Sequence, residues 1–440
     1  MKLFCALIIL IFFQSCSFDN KTGIWKNQGT VKEKKSVFNE FEKLSSSKDS
    51  FNKIIVPSQT FSLKLSSPIN NFSWNDIYYD KSNNFSNYEY KNLDKLSYKS
   101  KKISRYQTNK YLISENNYIA TTDNKGNIII FSLKEKKIII KFNFYKKKYK
   151  KIKKNINIVV NNNIIYASDN LGYIYSLDLK ENRIVWAKNL KIPFRSNLKL
   201  LNNKLIVSDQ NNQLYFINKN NGDILKIIPT EETIIKNNFM NNISSNEDFI
   251  FFINTYGTLY SISNKSMNIN WVLNLNQSSR LNPSDLFIGT PLINDRNKIV
   301  ISTNNFTYII DSDTGVIIHK KNFTTHLKSI LNNNYLFTIT KNDLLIMMDI
   351  NTGKIVYSYN INQQIADFLN VEKKKVMFKD IFIVNNDLYI FLNNSYLLKF
   401  TIYGDLITVK KLPSKINSHP IFMNQSIIFI NSKNQIVIID

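Results

Sequence analysis

Residues that commonly do chemistry are few in this 440-residue chain, and their spacing suits no familiar reaction. The three histidines, His319, His326 and His419, lack the short intervals of a zinc site. His319 stands where other copies of a repeated unit carry tryptophan, which predicts a packed ring and not a ligand. The only cysteines are Cys5 and Cys16. No glycine-rich phosphate loop and no Gly-x-Ser-x-Gly turn occurs. No acidic cluster suited to calcium stands out, although asparagine, another oxygen donor, is abundant throughout. The expectation is a chain without catalytic, cofactor or metal residues, a binding scaffold and not an enzyme. The side chain that invites a partner is Arg195, within Ile192-Pro193-Phe194-Arg195-Ser196. Arginine makes planar bidentate contacts that lysine cannot, and Phe194 beside it suits an interface anchor. The alternative is an ordinary loop whose Phe194 caps the core.

The N-terminus predicts export. Met1-Lys2 precedes an apolar run of 11 residues, Leu3 to Phe13. That is too short to span a bilayer and suits a signal peptide over residues 1–15. It ends at Phe13-Gln14-Ser15-Cys16, which resembles a lipobox, after which bacterial lipoproteins are cut and acylated on cysteine. Phe13 and Gln14 depart from the usual pattern; Ser15 is the small residue that cleavage needs. Cleavage removes Cys5, so no internal disulfide is possible, and acylation explains the leftover Cys16. Ser17, where an aspartate would favour retention at the inner membrane, favours the outer membrane. Residues 16–65 read as a polar tether rich in Lys, Ser and Asn.

The formal net charge is +25. Nucleic acid is the usual reading of such a charge, but lysine, asparagine and isoleucine dominate the whole chain, as AT-rich coding alone produces, and the chain carries an export signal. A solvated basic surface, or an anionic membrane surface, is the better reading. Residues 145–154 hold seven lysines, either a solvated loop or a lipid-docking one.

From about residue 94 short runs of Ile, Leu, Val, Tyr and Phe alternate with clusters of Asn, Asp, Gly and Lys, the pattern of many short antiparallel strands. The runs repeat. A first turn slot is filled at Gly126, Gly172, Asn212, Gly257, Asn305, Asp343, Asn394 and Asn434, at a mean interval of 44 residues. A second slot, ten residues on, holds Gly222, Gly315, Gly353 and Gly404. Tight hairpin turns often need φ > 0, which glycine adopts freely and asparagine and aspartate tolerate best. A period of 40–50 residues with four strands predicts propeller blades. The expected fold is all-β, an eight-bladed β-propeller of four-stranded antiparallel blades over residues 66–440. The last unit stops at Asp440 without its outer strand. A bare edge invites aggregation, so residues 95–103 are predicted to supply that strand and close the ring.

The repeat unit, clearest at Asp311-Ser-Asp-Thr-Gly315 and Asp349-Ile-Asn-Thr-Gly353 with Trp186 and Trp271 in the tryptophan slot, resembles the quinoprotein-type propeller repeat. With the lipobox and the truncated last unit it resembles the BamB family of outer-membrane lipoproteins. The resemblance implies a non-enzymatic scaffold of the β-barrel assembly machinery, lipid-anchored at Cys16 on the periplasmic face of the outer membrane. It implies the POTRA domains of BamA as partner, and barrel proteins before insertion as a further contact. The family loop that binds BamA matches Phe194, Arg195 and Ser196, and a second, acidic loop before a Thr-Pro step matches Asp285 alone. The rival from another class is a quinone- or sugar-binding periplasmic propeller, enzyme or sensor.

Overall fold

The computed structural model describes residues 16–18, 25–27, 50–58, 61–145, 149–232, 240–276 and 287–440. The chain divides into two compact units, 1–49 and 50–440. In the first, Cys16–Phe18 pairs antiparallel with Trp25–Asn27. The second therefore begins at Ser50, and the final part of the expected tether is packed rather than free: Phe51 N–H donates to Asn322 O at 2.7 Å, and Ile55 bridges Ser358.

The second unit is a ring of eight sheets. Blades 1 to 8 begin with the inner strands Ile113–Glu115, Ile156–Asn161, Lys199–Leu201, Asn242–Ser245, Ile293–Asp295, Ile330–Asn332, Phe378–Val384 and Ile421–Met423. Each continues outward in sequence order through antiparallel neighbours. Middle strands such as Ile164–Asp169 are almost wholly buried, while outer strands such as Arg183–Asn189 alternate toward solvent. That difference follows from packing each blade between two others and leaving only its rim wet.

The eighth blade lacks its own outer strand, and Leu96–Lys99 pairs there with Ile436–Ile439, with Tyr98 opposite Ile438. The six other blades whose outer strands start beyond residue 180, and blade 1, carry a register shift between third and outer strands, as at Ser176/Leu177 and Ile309/Ile310. The borrowed strand reproduces it, at Ile438/Ile439. Such a bulge adds local twist, so residues 96–99 take the shape of a native outer strand and not merely its place.

The second turn slot locks neighbouring blades. Gly222, at φ 77°, lies against Trp186 of the preceding blade, and a Cβ there would stand 2.5 Å from the indole. Trp186 Nε1 donates to Lys219 O at 2.8 Å, and Trp271 Nε1 to Ser312 O at 2.9 Å. His319 occupies the same slot against Gly353, with Nε2 3.0 Å from Ile350 O. The packed-ring expectation for His319 is met.

Three expectations need correction. Asn305 does not adopt positive φ, because its turn closes through Thr303 N–H to Phe306 O at 2.8 Å. In blade 7 the left-handed residue is Ser395 (φ 71°), not Asn394; Ser395 N–H bonds Leu392 O three residues back, as Gly126 bonds Asp123 O. The fold is also not purely β. A helix, Ile361–Leu369, joins blades 6 and 7, started by Asn360 accepting from Gln363 N–H and stopped by Asn370 at φ 52°. Nine residues are too few for periodicity to reveal it. Among the described residues no helix is long and apolar enough to cross a membrane.

Candidate partner-binding face and axial site

The axis of the ring is filled by its own chain. Residues 69–90 run through the centre and bond all eight blades. Trp74 and Ser114 exchange backbone bonds at 2.7 and 2.8 Å in blade 1. Val160 N–H donates to Asn75 O at 3.1 Å in blade 2. In blade 3, Lys199 Nζ lies 2.7 Å from Asp76 Oδ2. Asn83 Nδ2 donates to Ile243 O at 3.0 Å and Leu292 O at 2.9 Å, joining blades 4 and 5. Asn84 exchanges bonds with Leu331 at 2.7 and 3.0 Å in blade 6. Asn87–Tyr88 adds a parallel fifth strand to blade 7. Asn71 bonds Phe422 O at 2.8 Å in blade 8. Asparagine amides supply a donor and an acceptor each, which is what inner-strand backbone at a channel wall requires. Trp74, Phe85 and Tyr88 pack with Phe382 and Phe422 around this segment, Phe85 on Phe382 at 4.6 Å. This plug was not foreseen. Its signal in the sequence is the aromatic density of the stretch preceding the first repeat, with Trp74, Tyr78, Tyr79, Phe85, Tyr88 and Tyr90.

Above the plug, on the face where inner strands begin, lies a cavity of about 170 Å³. Its floor is Trp74, Ile77, Tyr78 and Phe85, and its wall includes Tyr111, Lys328, Lys379, Asp380 and His419. His419 stacks on Tyr111 at 4.6 Å, and its Nδ1 lies 2.9 Å from Asp380 Oδ2. Lys328 donates to Tyr78 O at 3.1 Å and to Asn83 O, over the Phe85 ring. Burial holds its ammonium well below the usual lysine range. Lys379, lowered by the same cause, donates to Asn417 O at 2.9 Å. The Asp–His pair orients an imidazole, but the lining residues include no serine, threonine or cysteine for it to activate. Lys328 serves mainly to tie the plug to blade 6. Among the described residues no group of three His, Cys, Asp or Glu is placed to hold a metal.

The loop around Arg195 opens on the same face. The structure separates its three predicted residues. Phe194 is 6% exposed and packs with Trp186, Leu198 and Tyr215 in the core. Ser196 is fully buried; its hydroxyl donates to Asn197 O and accepts from Ser208 N–H at 2.7 Å. Phe194 is thus a cap on the core, the alternative weighed from sequence, and neither it nor Ser196 presents a surface to a partner. Arg195 alone reaches outward, half-buried, its backbone held by Ser208 O at 2.9 Å and Asn241 N–H at 3.0 Å. Asp285 lies outside the described residues, as do Lys146 to Lys148 of the basic run. Within that run Lys154 is not solvated: it is buried, its ammonium sits 5.4 Å above the Tyr145 ring, and desolvation lowers its pKa. Nothing is described of the Cys16 side chain.

Residues 145–359 match the family model described as outer membrane protein assembly factor BamB. No curated protein sequence matches the chain. Among solved structures, BamB from Moraxella catarrhalis aligns at a TM-score of 0.60 and 8% identity, over 77% of this chain and 99% of that one. The quinohemoprotein alcohol dehydrogenase from Comamonas testosteroni aligns at 0.62 and 8% identity, over 83% and 80%. The computationally designed Ika8 protein aligns at 0.57 and 10% identity, over 77% and 99%. At such identities these likenesses show the propeller fold alone. The family model agrees with the resemblance carried by the repeat unit: residues 145–359, just under half of the chain, match the BamB family.

Proposed function

We propose that this chain is a non-enzymatic scaffold lipoprotein of the outer-membrane β-barrel assembly machinery, anchored through Cys16 and binding the POTRA domains of BamA through Arg195. The observation that carries the scaffold reading is the axial plug. The space at the centre of the ring is held by residues 69–90, bonded to every blade, with Lys199 and Lys328 already committed to Asp76, Tyr78 and Asn83. The family match supports the assembly role. Arg195 is the half-buried member of the family-like loop, between the buried Phe194 and Ser196; partial burial draws its pKa down, and its guanidinium offers planar bidentate contacts.

The test is capture of BamA from solubilised outer membrane by the parent, by Arg195→Glu and by a control reversal, Lys354→Glu, on an exposed turn at the opposite face. Arg195→Glu is expected to weaken capture by about 2 kcal/mol or more, at unchanged melting temperature. Equal capture by all three removes Arg195 from the interface. For the anchor, Cys16→Ala is expected to abolish the acyl mass on the N-terminus and release the protein from membranes.

A second reading, a small-molecule-binding propeller, is favoured by the 170 Å³ cavity and its Lys328, Lys379 and His419. A quinone bound there would give a visible absorption band on the purified protein; an unchanged spectrum with added quinone disfavours it.

A further inference from the structure

The chain reaches the ring beside the helix that joins blades 6 and 7. Phe51 O accepts from Asn342 Nδ2 at 3.2 Å, and Ile55 pairs with Ser358 in the outer strand of blade 6. One residue along the same turn, Asp343 Oδ2 accepts from Asn362 Nδ2 at 2.9 Å, and Asp343 O from Ile361 N–H at 3.0 Å. This turn therefore clamps the incoming segment on one side and the first turn of the helix on the other. The segment itself exposes Ile54 (57%) and Val56 (72%).

The helix buries Ile361, Asn362 and Ala366. Its far end does the opposite. Phe368 and Leu369 are 49% and 46% exposed, and the following loop presents Val371 at 55% and Met377 at 63%. Between them stand Lys373, Lys374 and Lys375, all exposed, beside a single acid, Glu372. A lone exposed apolar side chain is ordinary, but four in ten residues around three cations form a patch that water does not favour.

We propose that residues 368–377 are a docking surface for anionic lipid headgroups, seating the blade 6–7 edge of the ring on the bilayer. Apolar side chains of this kind enter the headgroup boundary while lysines remain among the phosphates. Lysine is a compact point charge on a long stem, suited to a diffuse anionic surface, and it is depleted from protein–protein interface cores. The clamp at Asn342–Asp343 holds residues 51–55, with exposed Ile54 and Val56, and the first turn of this helix at the same edge of the ring. The Arg195 loop joins blades 2 and 3, four blades away around the ring, so it stays free of a bilayer at this edge. The surface does not depend on an acyl chain, and the proposal stands or falls apart from the BamA reading.

The test uses the full chain carrying Cys16→Ser, so that no acyl chain contributes, and sedimentation with vesicles. Phosphatidylcholine vesicles are compared with vesicles of equal parts phosphatidylcholine and phosphatidylglycerol. Binding is expected to the anionic vesicles only and to fall with added salt. The triple variant Lys373→Gln, Lys374→Gln, Lys375→Gln is expected to partition roughly 100-fold more weakly, at about a factor of five per lysine. Phe368→Ser with Val371→Ser is expected to weaken binding that the lysines alone cannot restore. Melting temperatures of all variants report whether the fold survives, since every side chain substituted within residues 368–377 is exposed. Equal partition of parent and variants overturns the proposal, as does binding that moves instead with the lysines of 150–153. Unchanged vesicle binding together with loss of a captured envelope protein assigns the patch to a protein and equally overturns it.

Discussion

Lys199 Nζ lies 2.7 Å from Asp76 Oδ2, with the two side chains 0% and 4% exposed. The ammonium also bonds Asp80 O at 2.7 Å and Asn83 Oδ1 at 2.5 Å, so one lysine from an inner strand holds three points of the axial plug. Its fourth substituent is its own stem, and all three of its hydrogens are used. Desolvation raises the Asp76 pKa even against the neighbouring ammonium, so burial costs this carboxylate more than the pairing returns.

Removing one partner is the severe case. Lys199→Met should cost about 3–5 kcal/mol, because it leaves Asp76 buried without a cation. Lys199→Met with Asp76→Asn should be less destabilised than Lys199→Met alone, although Asp80 O still lacks its donor. Urea unfolding followed by tryptophan fluorescence, to which Trp74 on the plug contributes, measures both. A double variant no better than the single would show that the loss does not come from an unpaired Asp76 carboxylate.

The blade-to-blade lock predicts a steep response at Gly222. Alanine there meets the Trp186 ring at 2.5 Å and must hold φ near 77°. Left-handed backbone and overpacking together should cost about 2–4 kcal/mol. Gly289, with no left-handed φ and its nearest neighbours at 3.1 Å, should tolerate alanine better. Thermal unfolding of the two variants in parallel decides it; equal losses would argue that the Trp186 contact yields easily.

Truncation should act in steps. Removing residues 17–49 leaves the second compact unit whole, so its melting temperature should hold. Removal through residue 90 takes the plug and strips the inner edge of all eight blades of bonding partners. Removal through residue 103 also takes Leu96–Lys99, the outer strand of blade 8. The second truncation should melt well below the first, and the third should be prone to aggregate through its open edge. Light scattering and calorimetry on the three proteins check the order, and a third form as stable as the first would refute closure by this strand.

Asp169 sets a pH signature. Burial raises its carboxyl to about 6, above the ordinary value of about 3.9. The folded protein therefore holds this proton more tightly than the unfolded chain. The resulting stabilisation is complete below about pH 4 and is lost as pH rises through about 6. The carboxylate stays in place when ionised, accepting from Leu171 and Tyr173 N–H at 2.8 Å and from the Tyr145 hydroxyl. Asp169→Asn keeps an acceptor but does not titrate. Its melting temperature should follow the parent's outside that window and lack the parent's decline within it. Parallel curves from about pH 4 to pH 6 would sink the assignment.

Repetition made the ring legible. A turn residue that must adopt positive φ leaves a mark in a one-dimensional string, as Gly126, Gly172, Asn212, Gly257, Asp343 and Asn434 do. The missing strand at the C-terminal end was equally visible, because an unpaired edge is a local deficit with a countable remedy, found at Leu96–Lys99. His319 could be placed as packing by its register alone. The sequence by itself therefore determined the blade count, most of the turns and the strand exchange, since each rests on periodicity and backbone stereochemistry.

The tertiary structure alone decided what lies at the axis and on the faces. Asn71, Asn83, Asn84 and Asn87 are four among very many asparagines, and nothing local marks them as plug residues. Their partners stand 21 to 351 positions away, and only ring closure brings those carbonyls to one place. For the same reason Phe194 and Ser196 read as neighbours of Arg195 on a surface loop, whereas two extended backbone bridges, to Asp209 and Asn241, turn their side chains inward and leave Arg195 facing out. Side-chain direction in an isolated extended stretch depends on which strands flank it, and that information is absent until the blades assemble.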